Sequence, residues 1–96
     1  MGGFFAVASH HNCASDLFFG TDYHSHLGTQ RGGMAVRNAD HIHRVIHDIT
    51  NAQFRSKFDL DLPRLHGHLG IGVISDHEDQ PVLVGSHLGT FAVATV

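Results

Sequence analysis

Short apolar runs, separated by polar or glycine-containing segments, dominate the pattern along the chain. Each run is of strand length and rich in β-branched or aromatic residues, which favours strands over helices. The predicted strands are residues 4–9, 34–36, 42–47, 69–74, 82–84 and 90–96. Apolar and polar positions alternate across 41–50, and helix remains an alternative for 42–47.

One longer segment does not alternate and predicts a helix from Ala14 to about Leu27. Asp16 suits the first turn of such a helix, and Asn12 or Ser15 could cap it. Gly28 is a natural stop. A single helical turn is predicted at 54–58, followed by a loop or short helix that ends at Pro63.

Turn residues predict how the strands connect. Asn38–Asp40 is typical of a hairpin turn, Gly32–Gly33 of a second turn, and 85–89 of the turn in a hairpin between the last two strands. The fold class expected is α+β, with mainly antiparallel strands and one or two helices.

Composition limits the classes of function. The chain has 96 residues, of which 42% are hydrophobic and 16% charged, with a formal net charge of −3. These values predict one folded domain and argue against nucleic-acid binding or a basic membrane anchor. Apolar runs all fall short of the ~20 residues that a membrane span needs. A lone cysteine, Cys13, excludes an internal disulfide and suggests a reducing, cytoplasmic compartment.

Eleven histidines are the most unusual feature of the composition. On a strand, residues i and i+2 share a face, so His41 with His43, or His66 with His68, are weak candidates for a metal chelate. The His-Glu-x-x-His pattern of zinc peptidases is absent. Because surface histidines without metal are more common, a histidine-rich module for metal binding or self-association is an alternative function only.

Two other features are candidates for chemistry. Cys13 lies near the expected helix start, where the helix dipole would lower the pKa of its thiol, so a hydrolase that uses Cys13 is a further alternative. A free cysteine is more often a small buried residue. Arg31 could hold an anion, but a lone arginine more often pairs with surface carboxylates. The sequence holds no dinucleotide or phosphate-loop fingerprint, and no cofactor is expected.

Five stretches, in order, resemble the N-terminal glutaminase domain of the amidophosphoribosyltransferases, which are class II glutamine amidotransferases. They are similar to the family's opening strand, first helix and following strand, Gly-His motif, Gln-Pro segment and later strand. In this chain they are 3–7, 18–36, Gly67–His68, 80–84 and 89–96. The resemblance implies the αββα sandwich of N-terminal-nucleophile hydrolases, and residues 1–96 would form an incomplete, N-terminal piece of that domain.

The resemblance also implies that working residues have been replaced. The family's nucleophile is an N-terminal cysteine, and Gly2 stands at that position. Leu27 and Gly70 stand where the family has arginines, whereas Gly28, Gly67 and His68 match motif positions. Losing the arginine at 70 would remove a bidentate clamp on the glutamine carboxylate.

What the resemblance implies about function follows from these replacements. The family transfers glutamine-derived ammonia to phosphoribosyl pyrophosphate in purine biosynthesis. We expect this chain to be a degenerate, non-hydrolytic relative with a structural or regulatory role and no catalytic residue of its own. Its expected partners are a phosphoribosyltransferase domain and further copies of itself.

Overall fold

The computed structural model describes residues 2–25, 30–39, 41–50, 53–76, 78–86 and 89–95. Its elements, in chain order, are β1 (Gly3–Ala8), α1 (Ala14–Tyr23), β2 (Arg31–Asn38), β3 (His41–Asp48), α2 (Phe54–Phe58), a 3₁₀ turn (Leu62–Arg64), β4 (Leu69–Ser75), β5 (Val82–Ser86) and β6 (Gly89–Val93). Among the described residues, no helix is long and apolar enough to cross a membrane.

The strands form two antiparallel sheets. One has four strands in the order β1–β4–β2–β3, and the other pairs β5 with β6. The α+β class with antiparallel strands and two helices is therefore confirmed. The segment 42–47, for which helix was an alternative, is a strand paired along its whole length with β2.

The strand register defines two ends of the larger sheet. Gly3 pairs with Ile74, and Arg31 pairs with both Ser75 and Asp48, so these residues lie together at what we call the Gly2 end. At the opposite end, which we call the His68 end, Ala8 pairs with Leu69 and Asn38 pairs with His41.

One face of the four-stranded sheet carries the hydrophobic core. Its buried side chains pack against α1 and α2, and the rings of Phe54 and Phe58 stack with centroids 4.3 Å apart. Burial of these side chains is the main source of stability. The core residues are Cys13, Ala14, Leu17, Phe18, Met34, Val36, Ile49, Phe54, Phe58, Leu65 and Ile74.

Helix α1 begins where the sequence predicts but ends earlier. The Asn12 side chain accepts the N–H of Ala14 at 3.2 Å, which satisfies one of the free donors of the first turn. At the other end, the N–H of His24 bonds to the carbonyl of Thr21 at 3.0 Å, so the last turn tightens and the helix ends at Tyr23. The expected end at Leu27 was wrong, and the expected stop at Gly28 lies outside the described residues.

The expected turn at Gly32–Gly33 was wrong, because both glycines lie inside β2. They pair with His47 and Ile46 of β3. A Cβ on Gly32 would lie 2.8 Å from the ring of Phe54. The two positions have no side chain because other parts of the chain pack directly on the strand, and not because the strand reverses there.

The hairpin between β2 and β3 turns at Ala39, as expected for the Asn38–Asp40 segment. Ala39 has a positive φ of 54°, the backbone conformation that tight hairpin turns use. Its carbonyl accepts a hydrogen bond from Nε of Arg37 at 3.0 Å. Asp40 itself lies outside the described residues.

The second face of the sheet is covered only in part. An open cleft separates this face from β6. Phe4 and Leu69, whose side chains lie on this face, are 57% and 49% exposed. The cleft is lined by Ala35, Arg37, Ile42, Leu69, Gly70, Ile71, Thr90 and Ala92.

Candidate functional site

The start of β1 is the position at which the sequence resemblance places a catalytic group. Gly2 is half-buried there, and Gly3 pairs with Ile74 of β4. The next residue of β4, Ser75, is buried, and its hydroxyl accepts the N–H of Glu78 at 3.2 Å. Neither glycine has a side chain, so Gly2 and Gly3 supply no nucleophile.

A network of charged side chains surrounds the Gly2 end. The guanidinium of Arg31 contacts Asp48 and Asp79, each at 3.0 Å. The expectation that Arg31 pairs with carboxylates is therefore confirmed. With two acidic partners, Arg31 is already neutralised and is a poor candidate for binding an anionic substrate.

Asp48 is held in its charged form by several hydrogen bonds. The backbone N–H of Thr50 donates to it at 2.8 Å. Hydrogen bonds from the side chain and backbone of Thr50, together with the Arg31 guanidinium, lower the pKa of Asp48 below its usual value. This carboxylate therefore contributes negative charge and not a proton donor at neutral pH.

The Gln80–Pro81 segment crosses the sheet beside the same end. The Gln80 carbonyl lies against Gly33, where any Cβ would overlap with it. The side chain of Gln80 is buried, and its Oε1 accepts the N–H of Thr95 at 2.7 Å. Arg44 of β3 donates to the carbonyl of Pro81 at 3.3 Å. These contacts connect the larger sheet to the segment that follows β6.

Gly70 lies at the other end of the sheet from Gly2. It pairs with Val7, four residues along β1 from Gly3, a distance of roughly 13 Å. A Cβ on Gly70 would point into the core, 2.8 Å from Leu17 and 3.5 Å from the sulfur of Cys13. The structure therefore does not bring Gly2 and Gly70 together, and the assignment of Gly70 to a lost substrate clamp stays a prediction.

The other motif positions divide between the described and the undescribed parts of the chain. Leu27 and Gly28 lie outside the described residues. Gly67 is buried just before β4, and His68 is exposed beside it. Both lie at the His68 end of the sheet, so they are not adjacent to Gly2.

Cys13 does not have the environment of a catalytic thiol. Its side chain is fully buried in the core, and burial raises the pKa of the thiol. The expectation that the helix dipole would lower this pKa was wrong, because desolvation is the larger effect. The alternative interpretation, a small buried core residue, is confirmed.

His41 and His43 lie at alternating positions of β3, as expected, whereas His66 and His68 precede β4, which begins at Leu69, so the second pair is not on a strand. The ring centroids of His41 and His43 are 6.2 Å apart, and those of His66 and His68 are 6.4 Å apart. Both pairs lie at the His68 end of the sheet. Within the described residues, however, no three or more histidine, cysteine or acidic side chains gather in one metal-binding group.

No protein-family model matches the sequence, and no curated protein matches it. A solved structure does match, that of glutamine phosphoribosylpyrophosphate (PRPP) amidotransferase from B. subtilis complexed with ADP and GMP. The superposition covers 98% of this chain with a TM-score of 0.82 and 19% sequence identity. The two structures share a fold.

The likeness extends over only part of the amidotransferase. This chain covers 21% of the B. subtilis protein, so about four-fifths of that enzyme has no counterpart here. At 19% identity, the likeness concerns the fold and not the activity. The family resemblance stated from sequence motifs is thus supported at the level of three-dimensional structure.

Sequence reasoning missed most of the polar network at the Gly2 end. Arg31, Asp48 and Asp79 come from three separate segments, and no local motif connects them. The pairing of β2 with β3 and β4 brings Arg31 opposite both Asp48 and Ser75. A correct prediction of strand register would have identified the Arg31–Asp48 contact, whereas Asp79 lies between β4 and β5 and follows no strand pairing.

Proposed function

We propose that this chain is a glutamine amidotransferase-like domain of the amidophosphoribosyltransferase type that does not hydrolyse glutamine. The observation that carries the proposal is the pair of glycines at the start of β1, within a fold similar to that of PRPP amidotransferase over 98% of the chain. In the family, the nucleophile stands at this point.

The chemistry of amide hydrolysis supports the claim that this chain does not hydrolyse glutamine. Nucleophilic catalysis requires a side chain that forms the acyl intermediate and a base that activates it. Gly2 has no side chain that could form this intermediate. Cys13, the one thiol in the sequence, is buried in the core beside Gly70, far from the start of β1.

A structural or regulatory role follows from the same argument. A domain without glutaminase chemistry still has a stable core and surfaces for contact with neighbours. In this proposal it is joined to a phosphoribosyltransferase-type partner, which uses free ammonia in place of ammonia from glutamine. The domain then supports the partner and does not supply its nitrogen donor.

Self-association is part of the same proposal. Several large apolar side chains are about half exposed, among them Phe4 on the larger sheet and Val84 and Val93 on the smaller one. Contact with further copies would bury these surfaces. Sedimentation velocity over a range of concentrations tests this idea. A dimer or larger species is expected, and a monomer at the highest concentration contradicts it.

Ammonia release from glutamine tests the proposed loss of activity. The purified chain is incubated with glutamine, and ammonia is measured with a coupled dehydrogenase assay. An active class II amidotransferase serves as the positive control, and a boiled sample sets the background. The chain is expected to give the background rate. Turnover at about 1 s⁻¹, an ordinary enzymatic rate, would refute the proposal.

A further inference from the structure

His66 and His68 flank Gly67 at the His68 end of the sheet, and both are exposed. Their ring centroids are 6.4 Å apart. Because a Zn–N bond is about 2.0–2.1 Å long, two imidazoles bound at a tetrahedral angle have centroids roughly 5–6 Å apart. Small side-chain rotations therefore bring the two rings to the separation that a shared metal ion requires.

The backbone that carries these two rings is held by hydrogen bonds to two other segments, residues 9–13 and β2. The N–H of Gly67 donates to Oδ1 of Asn12 at 3.1 Å, and its carbonyl accepts the N–H of Cys13 at 2.7 Å. His68 bonds through its N–H to Arg37 and through its carbonyl to Ser9, at 3.2 and 2.8 Å. The two histidines thus lose little backbone entropy on binding a ligand.

Gly67 also fixes the path of this segment. A Cβ at this position would overlap with the Arg37 carbonyl. The absence of a side chain allows the segment to lie directly on β2, so His66 and His68 are held against the sheet and their rings are directed into solvent.

The orientation of His68 prepares one nitrogen for coordination. Its Nδ1 lies 3.2 Å from the backbone carbonyl of Ser9. A carbonyl only accepts hydrogen bonds, so Nδ1 carries the hydrogen and Nε2 keeps its lone pair in the neutral ring. A backbone carbonyl that fixes the tautomer in this way is a recurrent partner of metal-bound histidines.

We propose that His66 and His68 form a two-imidazole site for a borderline divalent transition-metal ion, such as Zn²⁺ or Ni²⁺. Within the described residues no third protein donor completes the site, so water fills the remaining positions and the ion exchanges readily. The proposal does not depend on the proposed function, because it concerns residues at the opposite end of the sheet from Gly2.

Calorimetric titration of the chain with ZnCl₂, and separately with NiCl₂, tests the site. One metal ion is expected to bind per chain, and the double variant His66→Ala/His68→Ala should weaken this binding at least tenfold. Far-UV circular dichroism checks that each variant keeps its fold. The substitutions are at exposed positions, where little destabilisation is expected.

The pair His41 and His43 provides a matched control. It has the same spacing and a similar ring separation of 6.2 Å, but within the described residues neither ring makes the hydrogen bond to a backbone carbonyl that fixes the tautomer of His68. The variant His41→Ala/His43→Ala is expected to bind metal as the parent chain does. If the parent chain binds no metal, or if the His66/His68 variant still binds with unchanged affinity, the proposal is wrong. An equal loss in both variants would also overturn it, because binding would not then be specific to the His66–His68 pair.

Discussion

Gly72 of β4 lies directly against Thr21 of α1, and a methyl group on Gly72 would overlap with the Thr21 hydroxyl. Gly72→Ala is therefore expected to destabilise the chain by about 1–3 kcal/mol, the usual cost of overpacking a core. Urea denaturation followed by circular dichroism measures the loss. Adding Thr21→Ala should recover part of it, since the overlap with the hydroxyl is then removed while the Thr21 Cβ stays 2.9 Å away.

Gly85 of β5 is the matched control for this substitution, because a Cβ there has no heavy atom within 4 Å. Gly85→Ala should change the free energy of unfolding by no more than about 0.5 kcal/mol. Equal effects of the two glycine substitutions would show that α1 does not pack on β4 as described.

The Thr21 hydroxyl leads to a second prediction. Its oxygen is buried and has no hydrogen-bond partner in the described part of the chain. Thr21→Val keeps the shape of the side chain and removes this unsatisfied polar atom. The variant should be as stable as the parent chain or more stable, by about 1 kcal/mol. A clear loss of stability in urea denaturation would mean that the hydroxyl has a partner.

Cys13 should react slowly with thiol reagents. Its side chain is fully buried, and burial raises the pKa of the thiol, so both access and thiolate content are low. Iodoacetamide labelling at pH about 8, followed by mass spectrometry, should be much slower for the native chain than for the chain in urea. Native labelling as fast as that of a small free thiol would revive the alternative in which Cys13 is a nucleophile.

Acid should remove the contribution of Asp48 to stability. Hydrogen bonds from Thr50 and the Arg31 guanidinium lower the pKa of Asp48 in the folded chain below its reference value of 3.8. The folded state therefore favours the charged form. Its contribution is complete above pH about 4 and disappears as the pH falls through the lower folded-state value.

Asp48→Asn tests this pH dependence. The urea midpoints of the variant and the parent chain should differ at pH about 7 and approach each other as the pH falls below 3.8, the reference pKa of the carboxyl group. The same measurement on the variant Asp79→Asn, which changes the second partner of Arg31, serves as the comparison. A difference at position 48 that stays constant from neutral to acid pH would contradict the charged contact.

Much of the fold could be predicted from sequence because it depends on local pattern. The strands at 4–9, 42–47 and 69–74 were recognisable from β-branched and aromatic residues, and the structure has strands there. Gly32–Gly33 was misread because a glycine pair favours a turn locally. The two glycines are instead required by tertiary packing, since Phe54 and the Gln80 carbonyl pack directly on this part of β2.

The candidate site was only partly predictable. The position of Gly2 at the start of β1 could be predicted, because it directly precedes the first apolar run of the sequence. The role of Cys13 was harder to judge. A helix start lowers the pKa of a nearby thiol, whereas burial raises it, as it does for Cys13. Sequence does not reveal burial at one isolated residue. The Arg31–Asp48 contact depends on strand register, and the Arg31–Asp79 contact depends on the path of the chain between β4 and β5; no short motif encodes either.

The central claim is that a chain with an amidotransferase-like fold forms no covalent intermediate with glutamine. Acid quenching of the chain with radiolabelled glutamine, followed by intact-protein mass spectrometry and counting, tests it most directly. The account predicts unmodified protein and no bound label, whereas an active class II amidotransferase in parallel traps label. Glutamyl label on this chain, at Cys13 or at any other residue, would contradict the account.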